Sequence, residues 1–373
     1  MNSIKDLDVS GKKVFLRVDF NVPLKDGKIT DNNRVKAAIP TIEYLAQHGA
    51  KIIIGTHLGR PDGKPTPESS TLPVAEELAK LIKHNVIATD HILGSEVTDQ
   101  IEKMKEGDIL VLGNLRWHPE EEKNDEDFGK ALASYADLYV NDAFAVSHRA
   151  NASVESITHY LPSYGGFLME SEITTLGLLF ENPESPFVVI IGGAKVKDKA
   201  GVIKFLAAKA DRLLIGGAVA NTFLLARGED VGQSLIEEDM IEECKGMLDE
   251  FGSKIVLPID YVKKEDADGS FSILDIGEQT RIKFGSIIKE ANALFINGNL
   301  GYTEEEAYQG GTKAIVEAIR DSSCGVKVAA GGDTVGYINK NGYEGGFSFI
   351  STGGGAALEL LAGEKLPGVE ALN

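Results

Sequence analysis

The feature that most constrains this chain is a recurring unit: a short, continuous apolar run, a loop of Gly, Asn, His or Arg, and then an amphipathic stretch. The runs of the first half are 14–18, 51–54, 86–88, 109–112 and 138–140. Those of the second half are 187–191, 213–215, 255–259, 293–296, 326–329 and 347–350. A strand with one wet face alternates polar and apolar side chains, whereas a strand apolar at every position is buried on both faces. Such strands separated by helices predict parallel sheets covered on both sides. The intervening helices have the matching spacing, with Ile39, Ile42, Leu45 and Ala46 on one face and Val74, Leu78, Leu81 and Ile82 on another.

Five or six strands in each half of a 373-residue chain predict an α/β protein of two doubly wound, Rossmann-like parallel-sheet domains rather than one very wide sheet. The connection is expected within 153–182. There Pro162, Gly165 and Gly166 interrupt the pattern, and an apolar helix through Phe167, Leu168, Ile173, Leu176 and Leu179 follows as a hinge. The expected domains are 1–160 and 161–362.

In open parallel sheets ligands bind at the carboxyl ends of the strands, so the loops there hold the candidate site residues. Those of the first half carry Asp19 and Asn21, then His57 and Arg60, then Arg116, then His148 and Arg149, while Arg34 opens the first helix. Net charge is −19, so a cluster of cations at successive strand ends is not what a random surface would give. Arginine matches phosphate and carboxylate oxygens in a two-pronged fork, and a small, highly anionic ligand is expected there. Taken singly, any one of these arginines reads as a surface ion-pair residue.

The second half carries glycines at the same places: Gly192-Gly193-Ala194-Lys195, Gly216-Gly217, Asn297-Gly298, Gly331-Gly332-Asp333-Thr334 and 351–355. Such turns bring backbone N–H groups and helix N-termini up to phosphate, so Gly193, Gly216, Gly217, Asn297, Gly331, Gly332 and Thr334 are expected around a nucleotide. One glycine turn is ordinary in any α/β protein; five in succession favour a nucleotide platform. The GxxxxGK[ST] and GxGxxG motifs are missing, against a P-loop and a dinucleotide fold. Lys195 and Lys199 share a helix face if the helix has begun there, and one of them is placed to neutralise a phosphoryl group in transfer. Asp333 is the candidate Mg²⁺ ligand.

The acidic balance disfavours nucleic acid and anionic membranes as partners. Two cysteines in no metal or redox spacing suggest a reducing compartment. With no signal core or membrane-length apolar run, a soluble, cytoplasmic, monomeric protein is expected.

The segments 17–24, 57–61, 114–116, 140–144 and 148–150 resemble the N-terminal domain of phosphoglycerate kinases, and 192–199, 331–333 and 351–355 resemble their C-terminal domain. The resemblance implies Mg²⁺-dependent transfer between 1,3-bisphosphoglycerate with ADP and 3-phosphoglycerate with ATP. It implies that Asp19, Asn21, Arg34, His57, Arg60, Arg116 and Arg149 hold 3-phosphoglycerate in the first domain. Lys195 and Lys199 would meet the nucleotide phosphates, Gly216 and Gly217 the adenine, Glu304 the ribose and Asp333 the metal. Arg34 and Lys199 would act in catalysis, and residues 363–373 would pack back on the first domain. Asn151, Gly113, Ala145 and Asn299 depart from the family pattern, and the stretch 258–275 is shorter than its norm. The rival readings are a different two-domain carboxylate or acyl-phosphate kinase and a catalytically silent relative. An NAD enzyme ranks below both.

Overall fold

A computed structural model describes every residue but Asp6, and every side chain but that of Phe180. Packing divides the chain into two compact units, Met1–Thr174 with Lys365–Asn373, and Thr175–Glu364.

The first unit holds a six-stranded sheet. In spatial order its strands are Val86–Ala88, Ile109–Val111, Lys51–Gly55, Lys13–Arg17, Leu138–Asn141 and Ser163–Gly165, all parallel. Residues 14–16, 52–54 and 109–111 are fully buried, as continuous apolar runs require when helices cover both faces. The helix Asn33–Gln47 lays Val35, Ala38, Ile42 and Leu45 on the sheet, and Leu72–Leu81 adds Val74, Ala75 and Leu78.

The second unit repeats the plan with Ile255–Val256, Arg212–Ile215, Phe187–Ile191, Ala293–Asn297, Val326–Ala330 and Phe349–Ile350, again all parallel. Numbered along the chain, that order is 3-2-1-4-5-6, the doubly wound arrangement. Its topological switch point lies between Phe187–Ile191 and Ala293–Asn297, where the loops diverge to opposite faces and leave a crevice. In the first sheet Lys13–Arg17 is flanked by Lys51–Gly55 and Leu138–Asn141, so Arg17, Gly55 and Asn141 end in register.

Several elements differ from the sequence reading. The runs 255–259 and 347–350 shorten to two-residue edge strands. The polar segment Ser163–Gly165, read as part of an interruption, is the sixth strand of the first sheet, paired with Leu138–Asn141. Where the sequence puts the boundary at 160/161, packing puts it inside the helix Phe167–Glu181. An antiparallel hairpin, Tyr261–Glu265 with Phe271–Ile276, stands in the stretch noted as short. Among the described residues no helix is long and apolar enough to cross a membrane, and both cysteines are buried free thiols.

Candidate active site

In the first unit the loop after Lys13–Arg17 turns back under its own side chains. Asp19 accepts the backbone N–H of Asn21 at 3.1 Å and takes the Arg34 guanidinium from the start of Asn33–Gln47. Asn21 Oδ1 accepts the N–H of Gly59 at 2.9 Å, tying this loop to the one after Lys51–Gly55. Asn114 fixes the third loop, donating to Leu58 O and Ser69 O at 2.6 and 2.9 Å and accepting the N–H of Arg116 at 3.0 Å. Arg116 in turn donates to Gly59 O at 3.3 Å.

These loops converge on His57, which is 2% exposed. Its Nδ1 lies 3.8 Å from Asp19 Oδ1 and 3.5 Å from Arg17 Nη2. Burial, and then the positive charges of Arg17, Arg116, Arg34 and Arg149, push its pKa well below the ordinary histidine value. His57 is therefore neutral at physiological pH, a hydrogen-bonding group amid cations rather than one of them. Arg149 is exposed and donates to His148 Nε2 at 3.2 Å. Arg60 is exposed and makes no hydrogen bond or ion pair among the described residues.

In the second unit the switch-point loops close around the Lys199 amine. Its Nζ donates to Gly192 O and Asn297 Oδ1, each at 2.7 Å, and lies 3.4 Å from Asn297 O. Burial lowers its pKa to about 8, against the opposing pull of Asp333 and Asp198. Gly193 has φ +97°, and a Cβ there would stand 3.0 Å from Lys199 Nζ; at Gly217, φ +61°, a Cβ would stand 2.6 Å from Asn299 O. Only glycine lets these turns approach so closely.

Beside Lys199 opens a cavity of about 840 Å³. Of the residues expected around a nucleotide, Gly193, Gly217, Glu304 and Asp333 line it. Asp333 lies in the first turn of Gly332–Lys340, whose cap is Gly331. Asn297 and Thr334 are buried and bonded to the protein, Asn297 to Lys199 and Ala330 O, and Thr334 Oγ1 to the N–H of Gly298 at 2.6 Å. They hold the loops in shape rather than face the space. Gly216 caps the helix Gly217–Ala226 and packs against Leu300. The helix after Lys195 begins only at Ala200, so Lys195 and Lys199 do not share a helix face, and Lys195 is an exposed loop residue.

A family model described as phosphoglycerate kinase matches residues 4–364. The chain belongs to the phosphoglycerate kinase family. A phosphoglycerate kinase of Moorella thermoacetica is 46% identical, covering 99% of this chain and 98% of its own. One of Desulfosudis oleivorans is 47% identical over 100% and 98%. Among solved structures, the phosphoglycerate kinase of Coxiella burnetii matches with TM-score 0.87 at 33% identity over 99% of this chain and 98% of its own. That of Pyrococcus horikoshii OT3 matches with TM-score 0.87 at 36% identity over 100% and 98%.

Membership in the phosphoglycerate kinase family makes the chain a phosphotransferase of glycolysis, and it leaves parts of the site that sequence reasoning passed over. Lys264, Asp266 and Ser272 reach the cavity from the Tyr261–Glu265/Phe271–Ile276 hairpin, and Leu235, Tyr302 and Tyr337 give it apolar walls. The signal for the hairpin is the turn pair Asp268-Gly269 followed by the alternating Phe271-Ser272-Ile273; the first strand, with Lys263 and Lys264 adjacent, carries none. Arg17, 1% exposed, is a further residue of the site, lying within the apolar run 14–18. A lone arginine within an apolar run gives no sign of what it is buried against until its distant partners are known.

Proposed function

We propose that the two loop clusters are the two half-sites of the family's reaction, transfer of a phosphoryl group between 1,3-bisphosphoglycerate with ADP and 3-phosphoglycerate with ATP. The observation that carries this reading is four arginines gathered around a buried, neutral His57 in a chain of net charge −19. Such a cluster suits a ligand bearing both phosphate and carboxylate. Arg17 and Arg116 are buried and fixed, whereas the Arg34 side chain is 36% exposed and, among the described residues, held at its Asp19 end alone. On this reading Arg34 meets the substrate carboxylate, the group that gains or loses the phosphoryl. Asp19, Asn21, His57, Arg60, Arg116 and Arg149 hold the remainder of 3-phosphoglycerate.

The cavity in the second unit takes the nucleotide. Gly217 and the apolar walls receive the base, Glu304 the ribose, and the Gly193 turn with the start of Gly332–Lys340 the phosphates. Lys195, unengaged among the described residues, swings onto the phosphates. In the forward direction for ATP, a carboxylate oxygen of 3-phosphoglycerate bonds to the γ-phosphorus as its bond to the β–γ bridging oxygen breaks, leaving ADP. Charge moves onto the equatorial oxygens and the leaving oxygen. Lys199 has two N–H groups fixed at 2.7 Å. The third, only 3.4 Å from Asn297 O, is the one to exchange that weak contact for a phosphoryl oxygen.

Asp333 fits a magnesium ion carried by the nucleotide. It lines the cavity at a helix start, and among the described residues no three metal-ligating side chains gather. Asp333 would hold such an ion as a single carboxylate ligand, which suits a hard cation that needs few protein ligands. When bound, Mg²⁺ supplies charge neutralisation on the phosphate oxygens. Neither half-site is complete alone, so transfer requires the two units to close with the segment around Phe167–Glu181 as hinge. We further read the protein as a cytoplasmic monomer. Production of ADP from ATP and 3-phosphoglycerate, dependent on Mg²⁺ and followed in a coupled assay, tests the function; no turnover by the folded protein refutes it.

A further inference from the structure

Behind the arginine cluster lies a polar group that the reaction does not touch. Glu121, on the short helix Pro119–Glu122, is fully buried, as is Ser153. The Ser153 hydroxyl donates to Glu121 Oε1 at 2.6 Å while its oxygen accepts Arg17 Nε–H at 2.8 Å. The other carboxylate oxygen, Oε2, accepts the Ser153 backbone N–H at 3.0 Å. Each donor and acceptor has one place to go, and the chain runs in a single direction from Arg17 through the hydroxyl to the carboxylate.

The consequences reach three loops of the half-site. With Nε held by Ser153 and Nη1 on Val18 O, Arg17 has Nη2 left, 3.5 Å from His57 Nδ1. The loop that carries Arg149 is pinned at its far end, because Glu121 takes both Ser153 donors and its own carbonyl accepts the N–H of Ala152 at 2.9 Å. Arg116 leads into the helix that carries Glu121, and its Nε lies 3.3 Å from Glu122 Oε1. Burial works against the charge on Arg17, and Glu121, with Nη2 at 3.9 Å from Oε1, works for it. A buried guanidinium without such a countercharge is costly.

We propose that Glu121 and Ser153 are positioning residues for the anionic substrate, aiming Arg17 and the Arg149 loop through a buried hydrogen-bond relay and making no contact with the substrate themselves. This rests on the reading of the first unit as the 3-phosphoglycerate half-site. The two possible effects of Glu121 have opposite signs. Removing a negative charge beside an anion site strengthens anion binding by electrostatics alone. Removing the relay weakens it, because a glutamine offers one acceptor to two Ser153 donors and turns an N–H toward them.

The test is calorimetric titration of full-length Glu121→Gln with 3-phosphoglycerate and, separately, with ADP, beside thermal unfolding. Expected is 3-phosphoglycerate binding weaker by about tenfold, the scale of one hydrogen bond to a charged group, with ADP binding within about twofold of the unaltered protein. Ser153→Ala, which keeps the charge and breaks the relay, is expected to give the same split. It is the variant to use should Glu121→Gln fail to fold. Binding of 3-phosphoglycerate unchanged or tighter in a folded Glu121→Gln or Ser153→Ala protein overturns the proposal, as does an equal loss for ADP. Arg34→Ala separates the two levels. If it leaves 3-phosphoglycerate binding intact, the half-site reading itself is wrong; if it abolishes binding while the relay variants do not alter it, only the relay is refuted.

Discussion

Replacing Lys199 with methionine is expected to stabilise the ligand-free protein while removing most of its activity. The folded amine titrates at about 8 instead of 10.5, mainly because it is buried. At 1.36 kcal/mol per unit, carrying the charged amine costs the fold ~3 kcal/mol at neutral pH. Methionine keeps the unbranched stem and loses the two 2.7 Å hydrogen bonds, a loss of ~2 kcal/mol together. The net expectation at pH 7 is a variant more stable by ~1 kcal/mol. The sign with pH follows from proton binding. Between about 8 and 10.5 the unfolded chain holds the Lys199 proton more tightly than the folded one, so the stability of the unaltered protein rises with pH across that window. The penalty is complete below 8 and gone above 10.5. Urea unfolding of both proteins from pH 7 to 11 therefore should show the variant's advantage shrinking by ~3 kcal/mol and reversing. In parallel kcat should fall ~10²-fold or more, the scale of one preorganised donor lost from the transition state. A stability difference that stays flat across the window refutes the burial reasoning, and a near-normal kcat refutes the catalytic role.

Arg34→Ala should weaken 3-phosphoglycerate binding and leave ATP binding nearly unchanged in separate titrations; matching losses would contradict the division into half-sites. Asp333→Asn should weaken Mg-nucleotide more than metal-free nucleotide, and equal losses would assign Asp333 to the helix start alone. His159 bridges Glu126 and Glu155 at 3.0 Å each, and its hydrogen bond to Glu126 is the main cause of its raised pKa. Its contribution to stability should thus be present at pH 5.5 and lost as pH rises through that raised value. A melting-temperature difference between the unaltered protein and His159→Ala that is constant from pH 5.5 to 8.5 would exclude it. In solution scattering, the radius of gyration should fall with 3-phosphoglycerate and Mg-nucleotide together more than with either alone; no change in an active enzyme would discard the hinge.

The central strands and the glycine turns were legible because their causes are local. A strand buried on both faces has to be apolar throughout, and a turn at φ +97° such as Gly193 calls for glycine whatever surrounds it. The basic cluster was legible because cations are few at strand ends in so acidic a chain. Ser163–Gly165 was not, since three residues with one aromatic carry no periodicity and pair only because Leu138–Asn141 offers an open edge. Lys195 and Lys199 show the limit of spacing arguments, because an interval of four means a shared face only within a helix, and the helix starts after both. The Glu121–Ser153–Arg17 relay was out of reach for a different reason. Its members are 32 and 136 positions apart, and nothing near any one of them records the others.

The packing of Lys365–Asn373 on the first unit bears on the order in which the chain becomes a protein. Gly368 donates its N–H to Ser147 O at 2.9 Å and its carbonyl accepts Asn141 Nδ2 at 3.3 Å, and a Cβ at Gly368 would stand 2.6 Å from Val154. On the ribosome, residues 1–174 emerge long before this brace exists, with Ser147 O and Asn141 Nδ2 still lacking their partners. The whole of Thr175–Glu364 is made in the interval. The nascent first unit thus awaits a late segment, and a chain stopped short of Gly368 would lack this brace on Ser147 and Asn141, leaving the loop after Leu138–Asn141 held by its remaining contacts alone.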